Sequence, residues 1–134
     1  MRKIMIRTAL IASTAAALIV GAASTASANA DTQDGPVSLS VKGTGLDVRE
    51  IVTTYASSGG EGQVQAYYIV VGPGGEPNRT NSEAIQNGAT GAGVYRDSYG
   101  PTGTFLDGTK ICAGWFDPTG KVHIPGYPCV TIHS

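Results

Sequence analysis

The segment Val37-Ser38-Leu39-Ser40-Val41-Lys42 alternates apolar and polar residues one by one, which places Val37, Leu39 and Val41 on one face of a strand. Val48 to Tyr55 follows, with Ile51, Val52, Thr53 and Thr54 in a row, a β-branched run that fits a pleated surface. Val64 to Val71 carries the strongest strand pattern. Ala66, Tyr68 and Val70 alternate with Tyr67, Ile69 and Val71, so both faces are apolar and the strand belongs inside a sheet. Further strands are expected at Val94 to Tyr99, Thr102 to Leu106, Lys110 to Phe116, Lys121 to Ile124 and Cys129 to His133.

Turn chemistry separates these runs. Gly43-Thr44-Gly45, Ser57 to Gly62, Gly100-Pro101 and Asp107-Gly108 interrupt the pattern, and Asp117-Pro118-Thr119-Gly120 places Pro second and Gly fourth, as a four-residue turn prefers. Residues 72–93 open with Gly72-Pro73-Gly74-Gly75 and show no strand alternation, which predicts a loop of about twenty residues. Within it, Asn81 to Gln86 has modest helix potential, enough for one turn or none. Short strands punctuated at this spacing predict an all-β fold: a small antiparallel β-sandwich, immunoglobulin-like or a related barrel, with one disulfide.

The first thirty residues have a different character. Arg2, Lys3 and Arg7 precede an apolar stretch from Thr8 to Ala23, and Ala28-Asn29-Ala30 has the small-x-small form of a cleavage site. Residues 1–30 are therefore expected to be a secretory signal cut before Asp31, leaving residues 31–134 as a single secreted, extracellular domain. The apolar stretch falls short of the roughly 20 residues a spanning helix needs. After the cut, six basic residues face ten acidic ones, a net charge of −4. That argues against a nucleic-acid partner, which needs a clustered basic face, and against an anionic membrane surface. A monomer is the expectation.

Cys112 and Cys129 are the two cysteines of the chain. In an exported small domain an even pair reads as a disulfide. A tight hairpin at 117–120 sets Phe116 opposite Lys121 and Cys112 opposite Pro125, which leaves Cys129 four residues out of register. The bridge is then expected to close around a second turn at Pro125-Gly126-Tyr127-Pro128, onto a bulged or neighbouring strand.

Catalytic signatures are lacking. There is no Gly-x-Ser-x-Gly elbow, no His-Glu-x-x-His, no phosphate-binding Gly-Lys-Ser/Thr loop and no EF-hand pattern. The pairs Asp47/Glu50 and Asp97/Asp107 could serve glycosidase chemistry only at a suitable separation. Asp107 and Asp117 read more simply as turn residues that bond their own backbone. His123 and His133 have no nucleophile beside them. No cofactor, no metal and no enzymatic activity are expected.

Aromatic residues are the remaining lead. Tyr67, Tyr68, Tyr99, Trp115 and Tyr127 are candidates for ligand contact, since exposed Tyr and Trp stack on sugar rings or anchor protein partners. Adjacent Tyr67 and Tyr68 must point to opposite faces. Trp115, three residues from Cys112, is expected in the core beside the disulfide, with ligand contact the alternative. Three non-catalytic roles are open: a structural or binding protein at the cell surface, an inhibitor or effector presenting residues 72–93 to a protein, and a carbohydrate-binding module. The partner is then an extracellular protein or a cell-wall polysaccharide.

Tyr99-Gly100-Pro101, Gly108, Cys112-Ala113-Gly114-Trp115 and Pro128-Cys129 together resemble the C-terminal layout of the small secreted spore-associated proteins of filamentous actinomycetes. The likeness spans about a third of the chain after the cut. That family carries a further cysteine pair nearer the N-terminus, which this chain lacks. The resemblance implies a non-enzymatic exported protein of the cell-wall or spore surface, with no active site to carry over.

Overall fold

A computed structural model of the 134-residue chain describes residues 29–100 and 103–134. The expected signal segment lies outside the described residues except for Asn29 and Ala30, and Pro101 and Thr102 lie outside them too. The described residues form ten strands: β1 (Ala30–Asp34), β2 (Val37–Thr44), β3 (Asp47–Ser57), β4 (Gln63–Val71), β5 (Asn78–Asn87), β6 (Gly93–Tyr99), β7 (Gly103–Thr104), β8 (Lys110–Asp117), β9 (Val122–Ile124) and β10 (Cys129–Thr131). Two five-stranded antiparallel sheets face each other. One has the order β1-β2-β3-β6, with β7 also on β3; the other has β10-β8-β4-β5, with β9 also on β8.

The core follows from the alternation. Val37, Leu39 and Val41 of β2, Ile51 and Tyr55 of β3, and Tyr95 of β6 point inward from the first sheet. Val64, Ala66 and Tyr68 of β4 and Ile111, Ala113 and Trp115 of β8 meet them from the second. Trp115 is fully buried between Tyr55 and Tyr95, with ring centroids 6.2 and 6.5 Å away. Its indole N–H donates to the Thr53 hydroxyl at 3.1 Å, and that hydroxyl donates to the Ser38 carbonyl at 2.7 Å. The two buried polar groups thus satisfy one another and the backbone.

Cys112 and Cys129 are joined by a disulfide and are directly opposed across β8 and β10, with Cα atoms 4.1 Å apart. The Ala113 N–H donates to the carbonyl of Pro128, which has no N–H to return. The neighbouring Cys112/Cys129 position is therefore a non-hydrogen-bonded pair, where opposed side chains come closest. The register differs from the expected one. Phe116 lies opposite His123 rather than Lys121, because residues 118–121 all belong to the turn, and Lys121 takes a φ of 55°. Between the pairs Trp115/Ile124 and Cys112/Cys129, residues 125–128 bulge out opposite Ala113 and Gly114. β9 and β10 are thus one interrupted strand along β8. Alternation also separates Trp115 from the disulfide: Trp115 points into the core, and Cys112 points to the outer face of the same sheet.

Two expectations fail on polar segments. Residues 72–93 are not one long loop, since ten of them form β5 against β4, leaving short connections at 72–77 and 88–92. Asn81 to Gln86 is extended rather than helical. β1 carries no apolar alternation either. Both are edge strands, held by backbone pairing on one side and exposed on the other, so burial does not impose a hydrophobic pattern.

Candidate functional site

β5 and β6 follow each other in the chain but border opposite sheets, so their side of the sandwich is where the two layers can part. β5 is irregular there. Gln65 pairs with Ile85 and Tyr67 with Asn81, so Ser82, Glu83 and Ala84 bulge opposite Ala66 alone. The Gln65 side-chain amide donates to the Ser82 carbonyl at 2.6 Å, and the Ala84 N–H donates to the Ser82 hydroxyl at 3.1 Å. A bulge bends its strand and re-aims side chains.

Here the bulge turns Ser82 toward Asp97, whose carboxylate points inward from β6 between Tyr95 and Tyr99. Asp97 is 9% exposed. Its Oδ2 accepts from the buried Tyr68 hydroxyl at 2.5 Å, and its Oδ1 accepts from the Ser82 hydroxyl at 2.7 Å. Burial, and then the bond to Asp97, push the Tyr68 phenol far above its ordinary value, so it stays protonated and donating. Tyr99 stacks on Tyr68 with centroids 5.1 Å apart and planes 22° apart. These groups line a cavity of about 460 Å³ with Asn81 and Glu83. Among the described residues no Lys, Arg or His lines it. Arg96, the neighbour of Asp97 along β6, is exposed; its charge reaches Tyr68 only weakly.

The candidate aromatics divide into three places. Tyr68 and Tyr99 come together at this cleft. Trp115 is wholly enclosed, so it is not a ligand contact; its ring fills the interlayer space that a leucine-poor core leaves. Tyr67 and Tyr127 meet on the outer face of the second sheet, 6.3 Å apart and 24° from parallel. The Tyr67 ring lies across Gly114, where a Cβ would come within 2.4 Å of the phenol oxygen, so any larger residue there must displace the ring. The Arg79 guanidinium sits over the ring at 4.1 Å. Tyr67 is therefore 8% exposed, while Tyr127 is 39% exposed. Phe116 and His123 are turned 61° and 84° from Tyr67, so this face is not a flat stacking platform.

A third polar group caps one end. The Ser57 hydroxyl donates to both Glu61 oxygens at 2.6 and 2.8 Å, and the Tyr55 hydroxyl donates to Oε2 at 2.8 Å. The Ser57 bond leads in holding Glu61 below the usual carboxylate range. Asp117 accepts from the Thr119 hydroxyl and N–H and from the Gly62 N–H at 3.1 Å, with the hydroxyl foremost in pulling it down to about 2. Asp107 binds the Ser134 N–H at 3.1 Å and lies 3.3 Å from His133 Nδ1. Among the described residues no three His, Cys, Asp or Glu are grouped to hold a metal ion.

The sequence offers Asp97 only as one carboxylate of a pair with Asp107, and the role of Ser82 is not visible in it. A signal for Asp97 was present: in Tyr95-Arg96-Asp97-Ser98-Tyr99 the acid shares a face with two tyrosines, and a charge on the aromatic face of a strand needs an explanation. Ser82 had none, because its orientation depends on the bulge. No protein-family model, no curated protein and no solved structure matches the chain.

Proposed function

We propose that this protein is an exported, non-catalytic binding module that takes a hydroxyl-rich glycan of the cell wall or cell surface into the cleft between β5 and β6. The observation that carries this reading is the Asp97 carboxylate, nine-tenths buried at the floor of an open cavity and oriented by the Tyr68 and Ser82 hydroxyls. Two of its lone-pair sites are used, which leaves others able to accept from sugar hydroxyls. Tyr99 offers an aromatic surface at the mouth, and Asn81 offers an amide. Cavities with a few convergent polar groups and apolar walls are what small ligands use.

The secretory character of residues 1–30, the disulfide and the resemblance from Tyr99 to Cys129 support action outside the cell, at the wall or the spore surface. An inhibitor presenting residues 72–93 has less support, because ten of those residues are tied into a sheet. The test is co-sedimentation of residues 31–134 with purified cell-wall polysaccharide. Wild-type protein is expected to sediment with the polymer, and Asp97→Asn and Tyr99→Leu to lose binding by about tenfold each, a loss of ~1.4 kcal/mol. Equal sedimentation of all three, with melting temperatures unchanged, removes the cleft from the reading.

A further inference from the structure

We infer that the cleft selects a protonated amine on its sugar, so that the ligand is an unacetylated hexosamine residue rather than a neutral hexose. This rests on the glycan reading above and narrows it. The observation is an unbalanced charge. Asp97 is buried and touched by two neutral donors, Tyr68 and Ser82, and no cation pairs with it among the described residues. Buried charges in folded proteins are ordinarily paired. Here the missing partner has a place to sit, because Asp97 lines a cavity.

The surroundings point the same way. Glu83 adds a second carboxylate at the rim, no basic side chain lines the cavity, and Tyr99 lies at its mouth, stacked on Tyr68. An ammonium group beside an aromatic ring gains from the negative face of the π-system as well as from the acid. An amine also supplies donors, matching the lone pairs of Asp97 that Tyr68 and Ser82 leave unused. A negatively charged or acetylated sugar would leave the buried carboxylate uncompensated.

The experiment is calorimetric titration of residues 31–134 at pH 6 with three probes: a β-linked glucosamine trimer, the N-acetylglucosamine trimer of the same linkage, and butylamine. The glucosamine trimer is expected to bind about tenfold or more tighter than its acetylated counterpart, as a charge-assisted hydrogen bond outweighs a neutral one. Asp97→Asn should abolish that preference, and Glu83→Gln, at an exposed rim position, should reduce it about twofold while leaving melting unchanged. Equal affinity for the two trimers overturns the amine inference and leaves the glycan reading standing. Butylamine binding as tightly as the glucosamine trimer overturns the sugar portion and points to a lysine-bearing protein. Absence of binding by all three overturns the inference, with the co-sedimentation result then deciding the glycan reading separately. A folded Asp97→Asn protein that keeps the preference overturns it as well.

Discussion

β1 meets β10 along one long side of the sandwich, and β5 meets β6 along the other, yet the two sides are finished in opposite ways. On the β1 side the layers are drawn tight. The Tyr127 N–H donates to Asp34 Oδ2 at 2.8 Å, and Gly126 is so close that a Cβ there would come within 2.6 Å of the Asp34 carbonyl oxygen. The disulfide ties β10 to β8 immediately inside. On the β5 side a bulge leaves side chains to bridge the layers, Ser82 to Asp97 at 2.7 Å and Gln86 to the Arg96 carbonyl at 3.1 Å, and a carboxylate occupies a position that an aliphatic residue would fill elsewhere in the core. One side is held by backbone contact beside a covalent bond, the other by polar side chains around a cavity.

The largest expected effect comes from undoing the tight side. Replacing Cys112 and Cys129 together by serine should lower stability by about 3 kcal/mol, the loop-closure contribution for a bridge of this span. Urea unfolding measures it, and a loss under about 1 kcal/mol would mean that backbone contacts alone seal that side. The next pair of substitutions sets the sides against each other directly. Gly126→Ala forces a Cβ against backbone at a φ of +117° and should cost about 1–3 kcal/mol. Asp97→Asn keeps acceptors for Tyr68 and a partner for Ser82, and should cost about 1 kcal/mol or less. The reverse order in the same urea series would invert the comparison.

How much of this could be read from the chain divides along the same lines. Val37 to Val41, Val64 to Val71 and Ile111 to Trp115 announced themselves, because burial on one or both faces writes a pattern of period two. The cysteine pair was equally plain. β1 and β5 were silent because their exposed edges demand no apolar residues, and the β5 bulge is set by pairing with β4 rather than by any local motif. The cleft inherits that silence. Its tyrosines were visible as residue types, but that Tyr68 would turn its hydroxyl to Asp97, and that Trp115 would be enclosed, follow from which sheet faces which. The hairpin register slipped for a similar reason: the Asp117 carboxylate organises Thr119 and Gly120, and Lys121 completes a wider turn than the Pro-Thr-Gly spacing suggests.

The smallest expected effect lies at the end of the sandwich, away from both sides. Glu61 is held below its ordinary 4.5, first by the Ser57 hydroxyl, and Asp117 falls from 3.8 to about 2, first through the Thr119 hydroxyl. Both are depressed in the folded state. Their stabilisation is therefore present above the unfolded values and is lost as pH falls from about 4.5 toward 2. Melting temperature should decline over that window, and Glu61→Gln should flatten the upper part of the decline. An unaltered profile in Glu61→Gln would assign the acid sensitivity to Asp117.

The connectivity also orders assembly in time. The sulfur bond spans 17 residues within one sheet, whereas Asp34 and Tyr127 are separated by 93. Closing a long stretch of chain is entropically slower than closing a short one. Oxidation therefore need not wait for the outermost strand to dock against Tyr127. A chain assembled in this order would acquire its covalent link early and its rim contact late.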